Sequence, residues 1–268
     1  MPSTVVGPMV TTTTGPTTTT LPASVITTYS YPSIQCPYAI AASSDGALWF
    51  SNYFGNSIGR IATDGTITNY AHPSVVRPDG AAVGPDGATW YANTTNNTIG
   101  QVTPDGKFSS FNDSRISSPY SVAPGQALVE WFTNSTSNSV EWLTPNRNAN
   151  VFYDARIQNP QRITAGPDGA MWFANFYGSS IWRVTPDGTV TAFKNSSIYG
   201  PIDICAGSDG AQWFTNCSNN SIGRITTSGV ISNYTDPAIY FPDSIASGRD
   251  GAIWFTNSGN NTIGRISV

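Results

Sequence analysis

The chain has 268 residues, of which only 10% are charged, and it carries a net charge of -4. This charge excludes the basic surface that nucleic-acid binding needs. No apolar run approaches the roughly 18 residues of a membrane-spanning helix, and no basic start followed by an apolar segment indicates a signal peptide. We therefore expect a protein that neither binds nucleic acid nor spans a membrane, and whose polar surface is built from Asn, Ser and Thr.

Residues 1–22, MPSTVVGPMVTTTTGPTTTTLP, form an uncharged, Thr/Pro-rich tail. Such a composition is typical of an extended linker that can carry O-linked glycans. The alternative, which we favour, is a connector that docks on a neighbouring subunit by strand addition or by insertion into its channel. Repeated head to tail, that contact would build a filament. The apolar side chains expected to hold the neighbour are Val5, Val6, Met9 and Val10.

Tryptophan recurs every 41 residues along the rest of the chain, at Trp49, Trp90, Trp131, Trp172, Trp213 and Trp254. A proline and an asparagine keep the same spacing, without insertion or deletion. Residues 23–268 therefore divide into six units of 41 residues. A fixed period of about 40 residues indicates a repeat architecture.

Each unit predicts four short strands joined by tight turns. In the first unit these strands are YAIAAS, ALWFSN, SIGRIA and TITNY, and Asp-Gly pairs mark two of the turns. Asp-Gly supplies the positive φ that tight hairpins need. Four strands in about 40 residues are typical of a propeller blade. We therefore predict an all-β, six-bladed β-propeller over residues 23–268.

The last unit ends after its third strand, at Val268. The segment ASVITTY, residues 23–29, stands where other units have their fourth strand. We therefore predict that an N-terminal strand completes blade six, closes the ring and covers an open sheet edge.

The segments GPDGAMWFANFYGSSIWRVTPDGTV and GSDGAQWFTNCSNNSIGRITTSGVISNY resemble the streptogramin B lyase (virginiamycin B lyase) family and, more distantly, NHL-type propellers. The resemblance covers all six units. It implies a fold similar to the seven-bladed lyases, which open a cyclic ester with histidine and glutamate beside a magnesium ion at the channel mouth. This chain has one histidine, His72, between units one and two, and its two glutamates, Glu130 and Glu141, both lie in unit three. No position matches the lyase residues, so we predict no catalytic residue, cofactor or metal site.

The first strand of each unit begins with the repeated proline, and the next two positions should face the channel mouth. Arg162 and Asp203 fall at the same level in adjacent blades, which predicts an ion pair between blades. Alternatively, the polar residues at these positions hold a ligand, with Tyr38 and Tyr120 as stacking platforms; a ligand in this place is an analogy at the level of the fold. The candidate ligand-binding residues are Tyr38, Asp79, Tyr120, Arg162, Asp203 and Asp243.

Unit three departs from the others because it has lost its Asp-Gly turn. It carries Glu141 and Trp142 where most units have Gly-Arg, and Trp182 of unit four stands at the Glu141 position. These residues predict an aromatic patch on the outer side of blades three and four. Exposed tryptophan is favoured at protein interfaces, so the patch is a candidate lateral contact surface.

Glycosylation motifs are frequent, with acceptors at Asn93, Asn96, Asn112, Asn134, Asn195, Asn216, Asn219, Asn233 and Asn260. Together with the scarcity of lysine and glutamate, they predict an extracellular or cell-surface glycoprotein. The odd number of cysteines leaves at least one unpaired among Cys36, Cys205 and Cys217. Cys205 and Cys217 can pair, but small buried thiols are the simpler interpretation.

Three functions follow, in order of preference. The first is an extracellular structural or adhesive protein that associates with other copies of itself through its N-terminal tail. The second is a module that binds glycans or cell-surface proteins at the channel mouth. The third is a lyase or hydrolase of a small cyclic ester, in which Asp79, Asp243 or Arg162 replaces the missing histidine and glutamate.

Overall fold

The structure, a computed structural model, describes residues 3–5, 26–28, 32–144, 146, 148–248 and 250–268, the first two segments by their backbone alone. The described residues form 25 strands and two short 3-10 turns, at Gln126–Leu128 and Cys217–Asn219. The predicted all-β class is confirmed. Of the predicted tail contacts, Val5 lies in the first strand, whereas Val6, Met9 and Val10 lie outside the described residues.

Six antiparallel sheets follow one another along the chain as propeller blades, preceded by a two-stranded pair, β1 (Ser3–Val5) and β2 (Ile26–Thr28). Blade one contains β3 (Pro37–Ala42), β4 (Leu48–Asn52), β5 (Ser57–Ile61) and β6 (Ile67–Ala71). Blade two contains β7 (Pro78–Val83), β8 (Thr89–Asn93), β9 (Thr98–Val102) and β10 (Phe108–Asn112). Blade three contains β11 (Pro119–Pro124), β12 (Glu130–Asn134), β13 (Ser139–Leu143) and β14 (Ala149–Tyr153).

The remaining blades repeat this order. Blade four contains β15 (Pro160–Ala165), β16 (Met171–Asn175), β17 (Ser180–Val184) and β18 (Val190–Phe193). Blade five contains β19 (Pro201–Ala206), β20 (Ala211–Asn216), β21 (Ser221–Thr226) and β22 (Ile231–Thr235). Blade six contains β23 (Pro242–Ser247), β24 (Ile253–Asn257) and β25 (Thr262–Ile266). No helix among the described residues is long and apolar enough to cross a membrane.

The repeated asparagine ties the loops of each blade together. Asn175, for example, is fully buried and donates from Nδ2 to Ser180 Oγ at 2.8 Å and to the Arg156 carbonyl at 2.9 Å. Its Oδ1 accepts a bond from the Gln158 amide at 2.6 Å. A buried amide must have its bonds made, so this side chain fixes the loop that enters the blade.

The core lies between neighbouring blades, where the repeated tryptophan packs. Trp213 of blade five is buried and stacks on Tyr234 with ring centroids 5.1 Å apart. It also belongs to an apolar cluster with Ile245 and Phe255 of blade six. Burying such side chains is the main stabilising force of the ring.

The boundary between blades six and one differs from the others. Blade six has three strands in the described residues, and β2 pairs with β1 rather than with β25. The described part of the predicted closing strand, Ile26–Thr28, is therefore not paired with β25 in the described residues. A strand has two hydrogen-bonding edges, so the pairing with β1 uses one edge of β2 and leaves the other free.

Candidate functional site

The channel mouth is formed where the first strand of each blade begins, and it brings together most of the predicted ligand-binding residues. Arg162 of blade four lies over the ring of Tyr120 of blade three, with 5.3 Å from its guanidinium carbon to the ring centroid. Tyr38 is half exposed, and its ring centroid lies 5.3 Å from that of Tyr53. Burial raises the pKa of Tyr120 to about 12, so its hydroxyl stays protonated.

Asp79 is the most unusual group at the mouth because it is buried without a full set of partners. The side chain is 5% exposed, and its Oδ1 has no hydrogen-bond partner. Burial raises its pKa to about 6, while the charge of Arg162 acts in the opposite direction. A buried carboxyl with an unpartnered oxygen can accept a hydrogen bond from a ligand, which would remove part of this desolvation cost.

The predicted ion pair between Arg162 and Asp203 does not form among the described residues. Asp203 instead accepts bonds from Ser244 Oγ at 2.7 Å and from the Ile245 amide at 3.1 Å. These bonds join blade five to blade six, and Arg162 is engaged by the Tyr120 ring. Burial raises the pKa of Asp203, while the charge of Arg162 and these hydrogen bonds act in the opposite direction. Asp243, the last of the predicted residues, is exposed.

The histidine and the glutamates do not form a lyase site in the described part of the chain. His72 is exposed, bonds Ser74 Oγ at 2.8 Å and stacks on Phe108 with centroids 4.8 Å apart. Glu130 and Glu141 are buried within blade three. No three His, Cys, Asp or Glu side chains of the described residues are grouped to hold a metal ion. The magnesium ion implied by the resemblance therefore has no ligand set in these residues.

The predicted lateral patch on blades three and four is wrong. Glu141 and Trp182 are fully buried, and only Trp142 is partly exposed. Trp182 lies in the core between these two blades and packs against Phe173, with the two ring centroids 5.8 Å apart. The guanidinium carbon of Arg156 lies 5.1 Å from the centroid of the Trp182 ring. The middle of the third strand faces the interior of the ring, so substitutions there change the core and not the outer surface.

Three of the predicted glycosylation sites are also wrong. Asn93, Asn134 and Asn216 are repeated structural asparagines, buried and hydrogen-bonded, which leaves no room for a glycan. The exposed acceptors are Asn96, Asn112, Asn195, Asn233 and Asn260, while Asn219 is partly buried. The three cysteines are free thiols; Cys36 is exposed, and Cys205 and Cys217 are partly buried.

A second candidate site is the open seam between blades one and six. On blade one, Ile40 is 65% exposed although its counterparts Val122, Ile163, Ile204 and Ile245 are buried. On blade six, Ile263 is 71% exposed, whereas its counterparts in the other five blades, Ile58, Ile99, Val140, Ile181 and Ile222, are fully buried. Trp254 is 40% exposed, again in contrast to most of the repeated tryptophans.

A hydrogen bond that links neighbouring blades at other boundaries is also missing between the described residues of the seam. At four boundaries a left-handed asparagine accepts a bond from the backbone amide 21 residues later, as Asn56 does from Arg77 at 2.9 Å. The corresponding residues at the seam are Asn261 and Cys36, both with positive φ, 56° and 53°. No hydrogen bond joins these two described residues. Beside β25 lies a groove of about 530 Å³, whose lining includes Ile239, Ile263 and Ile266.

The family is decided by sequence. The model of the virginiamycin B lyase family matches residues 10–115 and 112–268. The chain belongs to this family. No curated protein matches it, but solved structures of lyases do.

A streptogramin B lyase structure is 33% identical, with 86% of this chain and 79% of that chain covered and a TM-score of 0.82. The selenomethionine-substituted virginiamycin B lyase from Staphylococcus aureus is 32% identical, with 88% and 82% covered and a TM-score of 0.82. A catalytically inactive variant of the Staphylococcus aureus enzyme with quinupristin is 30% identical, with 93% and 86% covered and a TM-score of 0.84. This family member therefore shares the propeller of the lyases.

Sequence reasoning named candidate residues at equivalent positions of the blades, but it missed two features. The missing partner of Asp79 depends on packing between blades two and three, which the spacing of the repeat does not describe. The exposed seam was also missed, because the repeat predicts which surfaces are complementary and not which are in contact. The sequence did contain one indication of the seam, because the sixth unit of the repeat has only three predicted strands.

Proposed function

We propose that this chain is a non-catalytic, extracellular propeller that associates with further copies of itself through its seam and its N-terminal segment. The proposal rests on the exposure of Ile40, Trp254 and Ile263. At the other boundaries between blades, most of the equivalent residues are buried. Fully burying one such side chain contributes about 1.5–3 kcal/mol. Two apolar faces on one molecule therefore favour a partner strongly.

The two faces are complementary because each repeats a surface that already fits its neighbour. At the other boundaries the second and third strands of one blade share an apolar cluster with those of the next, as Trp49 and Ile58 pack with Tyr91 and Val102. Blade six of one copy can receive blade one of another in the same way. This contact joins different surfaces, so repetition builds a ring or an open filament.

An extracellular setting is supported by the low charge and by the exposed acceptor asparagines, such as Asn96, Asn195 and Asn233. A non-catalytic role is supported by the surroundings of His72, whose partners are Ser74 and Phe108.

Light scattering tests the proposed association. The full chain should have a mass above the 28.5 kDa of one copy, and Ile263→Asn should lower it toward that value. Tyr177→Asn is the matched control, because Tyr177 is 72% exposed on a loop of blade four. A full chain that stays a single copy at every concentration would contradict the proposal.

A second candidate function, glycan binding at the channel mouth, is favoured by Asp79. Its unpartnered oxygen, the Tyr120–Arg162 pair and the exposed Tyr38 provide an acceptor, a cation and an aromatic platform. A glycan array followed by calorimetry of the best binder tests it. Tyr38→Ala and Asp79→Asn should each weaken binding, and Tyr177→Ala should not; an array without any binder would rule out this function.

A further inference from the structure

We infer that residues 26–30 of one copy form the fourth strand of blade six of the next copy, paired with β25 and carrying β1 as a fifth strand. This inference rests on the proposed self-association and specifies the element that is exchanged. The first observation is the outer edge of β25, which is unpaired in the described residues, while the third strand of each other blade is paired on both sides. An unpaired edge of this kind is a template for an added strand.

The repeat fixes the register of the added strand. In blade one, Ile61 pairs with Ile67, Arg60 with Thr68, and Ile58 with Tyr70. Blade five pairs Ile225, Arg224 and Ile222 with Ile231, Ser232 and Tyr234 in the same way. In blade six this register places Ile26 opposite Ile266, Thr27 opposite Arg265, and Tyr29 opposite Ile263.

The residue types of the segment, taken from the sequence, match those that blade six lacks. In three blades the repeated tryptophan stacks on the aromatic ring of the fourth strand, as in Trp49–Tyr70 at 5.1 Å, Trp172–Phe193 at 5.4 Å and Trp213–Tyr234 at 5.1 Å. Trp254 has no such ring beside it in the described residues and is 40% exposed. Tyr29 stands at the position that would supply this ring. The groove of about 530 Å³ along β25 is where the strand would lie.

The structure favours a second copy as the source of the strand over the chain's own N-terminus. Here β2 pairs with β1 and not with the chain's own β25. The chain's own blade one also leaves Ile40 and Leu48 uncovered, at 65% and 38% exposure. The uncovered faces of blades six and one are therefore both available to another copy.

The pairing with β1 is compatible with the exchange. In the described pair, Thr4 lies opposite Thr27 and Val5 opposite Ile26. β2 can keep this pairing on one edge while its other edge bonds β25. The exchanged unit is therefore a hairpin-like pair, and β1 becomes the outer strand of the completed blade.

Disulfide trapping tests the inference in the full chain with Cys36→Ser. Serine fits this position, because Ser118 holds the same place with a φ of 48°. Thr27→Cys combined with Arg265→Cys should give disulfide-linked multimers, because directly opposed residues in a strand pair are within bonding range. Mixing the two single variants should give a linked dimer. Thr28→Cys with Arg265→Cys is the control, since a shift of one residue turns the side chain to the other face and should abolish the linked band.

Each other outcome overturns the inference in a distinguishable way. A linked single copy without multimers would show that the strand stays on its own blade six. No linked band, with light scattering still above 28.5 kDa, would show that copies associate without this exchange. No linked band with a single-copy mass would remove the exchange and the proposed function together.

Discussion

At the scale of single residues, the burial of Glu130 makes the stability of the folded chain depend on pH. The side chain is 2% exposed, and burial raises its pKa from 4.5 to about 8. Between these two values the folded chain keeps a proton that the unfolded chain has released. The stabilising contribution is therefore fully present below about pH 4.5 and is lost as the pH rises toward 8. Burial also raises the pKa of Glu141, to about 7, which adds to the same trend.

We expect Glu130→Gln to reduce this loss of stability. Glutamine fits the site, because Gln212 occupies the same position of blade five and is fully buried. Urea unfolding at pH 5 and pH 8 should show a smaller fall in the free energy of unfolding for the variant than for the unchanged chain. Parallel pH dependences for the two proteins would show that the Glu130 carboxyl does not titrate as described.

Asn175 illustrates a structural residue that resembles a surface one in sequence. Asn175→Ala should lower the free energy of unfolding by about 2–4 kcal/mol, because the backbone groups it bonds lose their partners. Asn112→Ala, at an exposed acceptor with no side-chain hydrogen bond among the described residues, should change it by no more than about 0.5 kcal/mol. Chemical unfolding of both variants makes the comparison, and similar effects would contradict the role given to the buried amide.

At the scale of elements, the third strand of most blades carries a glycine that accepts an aromatic ring. A Cβ at Gly223 would lie 2.1 Å from the ring of Phe214. Gly223→Ala should therefore destabilise the chain by about 1–3 kcal/mol, as expected when a core is overpacked. Arg224→Ala on the same strand removes a partly exposed ion pair with Asp209 and a contact with the Trp213 ring, and should cost about 1 kcal/mol. Thermal unfolding of the two variants measures this difference, and an unaffected Gly223→Ala would contradict the described packing.

The same position explains why one sequence prediction succeeded and another failed. The strand pattern repeats six times and Asp-Gly turns mark five of the six units, so the blades could be predicted from local chemistry. Glu141 and Trp182 replace the glycine, and a sequence pattern alone does not say which strand face is covered. We therefore interpreted the replacement of glycine at these two positions as a surface feature. Packing between blades three and four in fact buries both side chains.

At the scale of the whole molecule, the repeat predicts complementary surfaces at all boundaries between blades, including the seam. It therefore predicted the segment around Ile26 as the missing strand of blade six. It could not show whether that strand belongs to the same copy, because closure depends on the curvature of the ring and not on any local pattern. The proposal of a second copy rests on the exposure of Ile40, Trp254 and Ile263.

Amide hydrogen exchange of β25, Thr262–Ile266, at low and high protein concentration tests the central claim most directly. The account predicts fast exchange when the chain is dilute and protection when it is concentrated, because a second copy supplies the pairing strand. Ser180–Val184 of blade four, paired on both sides, is the internal reference and should be protected throughout. Equal protection of β25 at both concentrations would contradict the account, since the edge would then be covered within one copy.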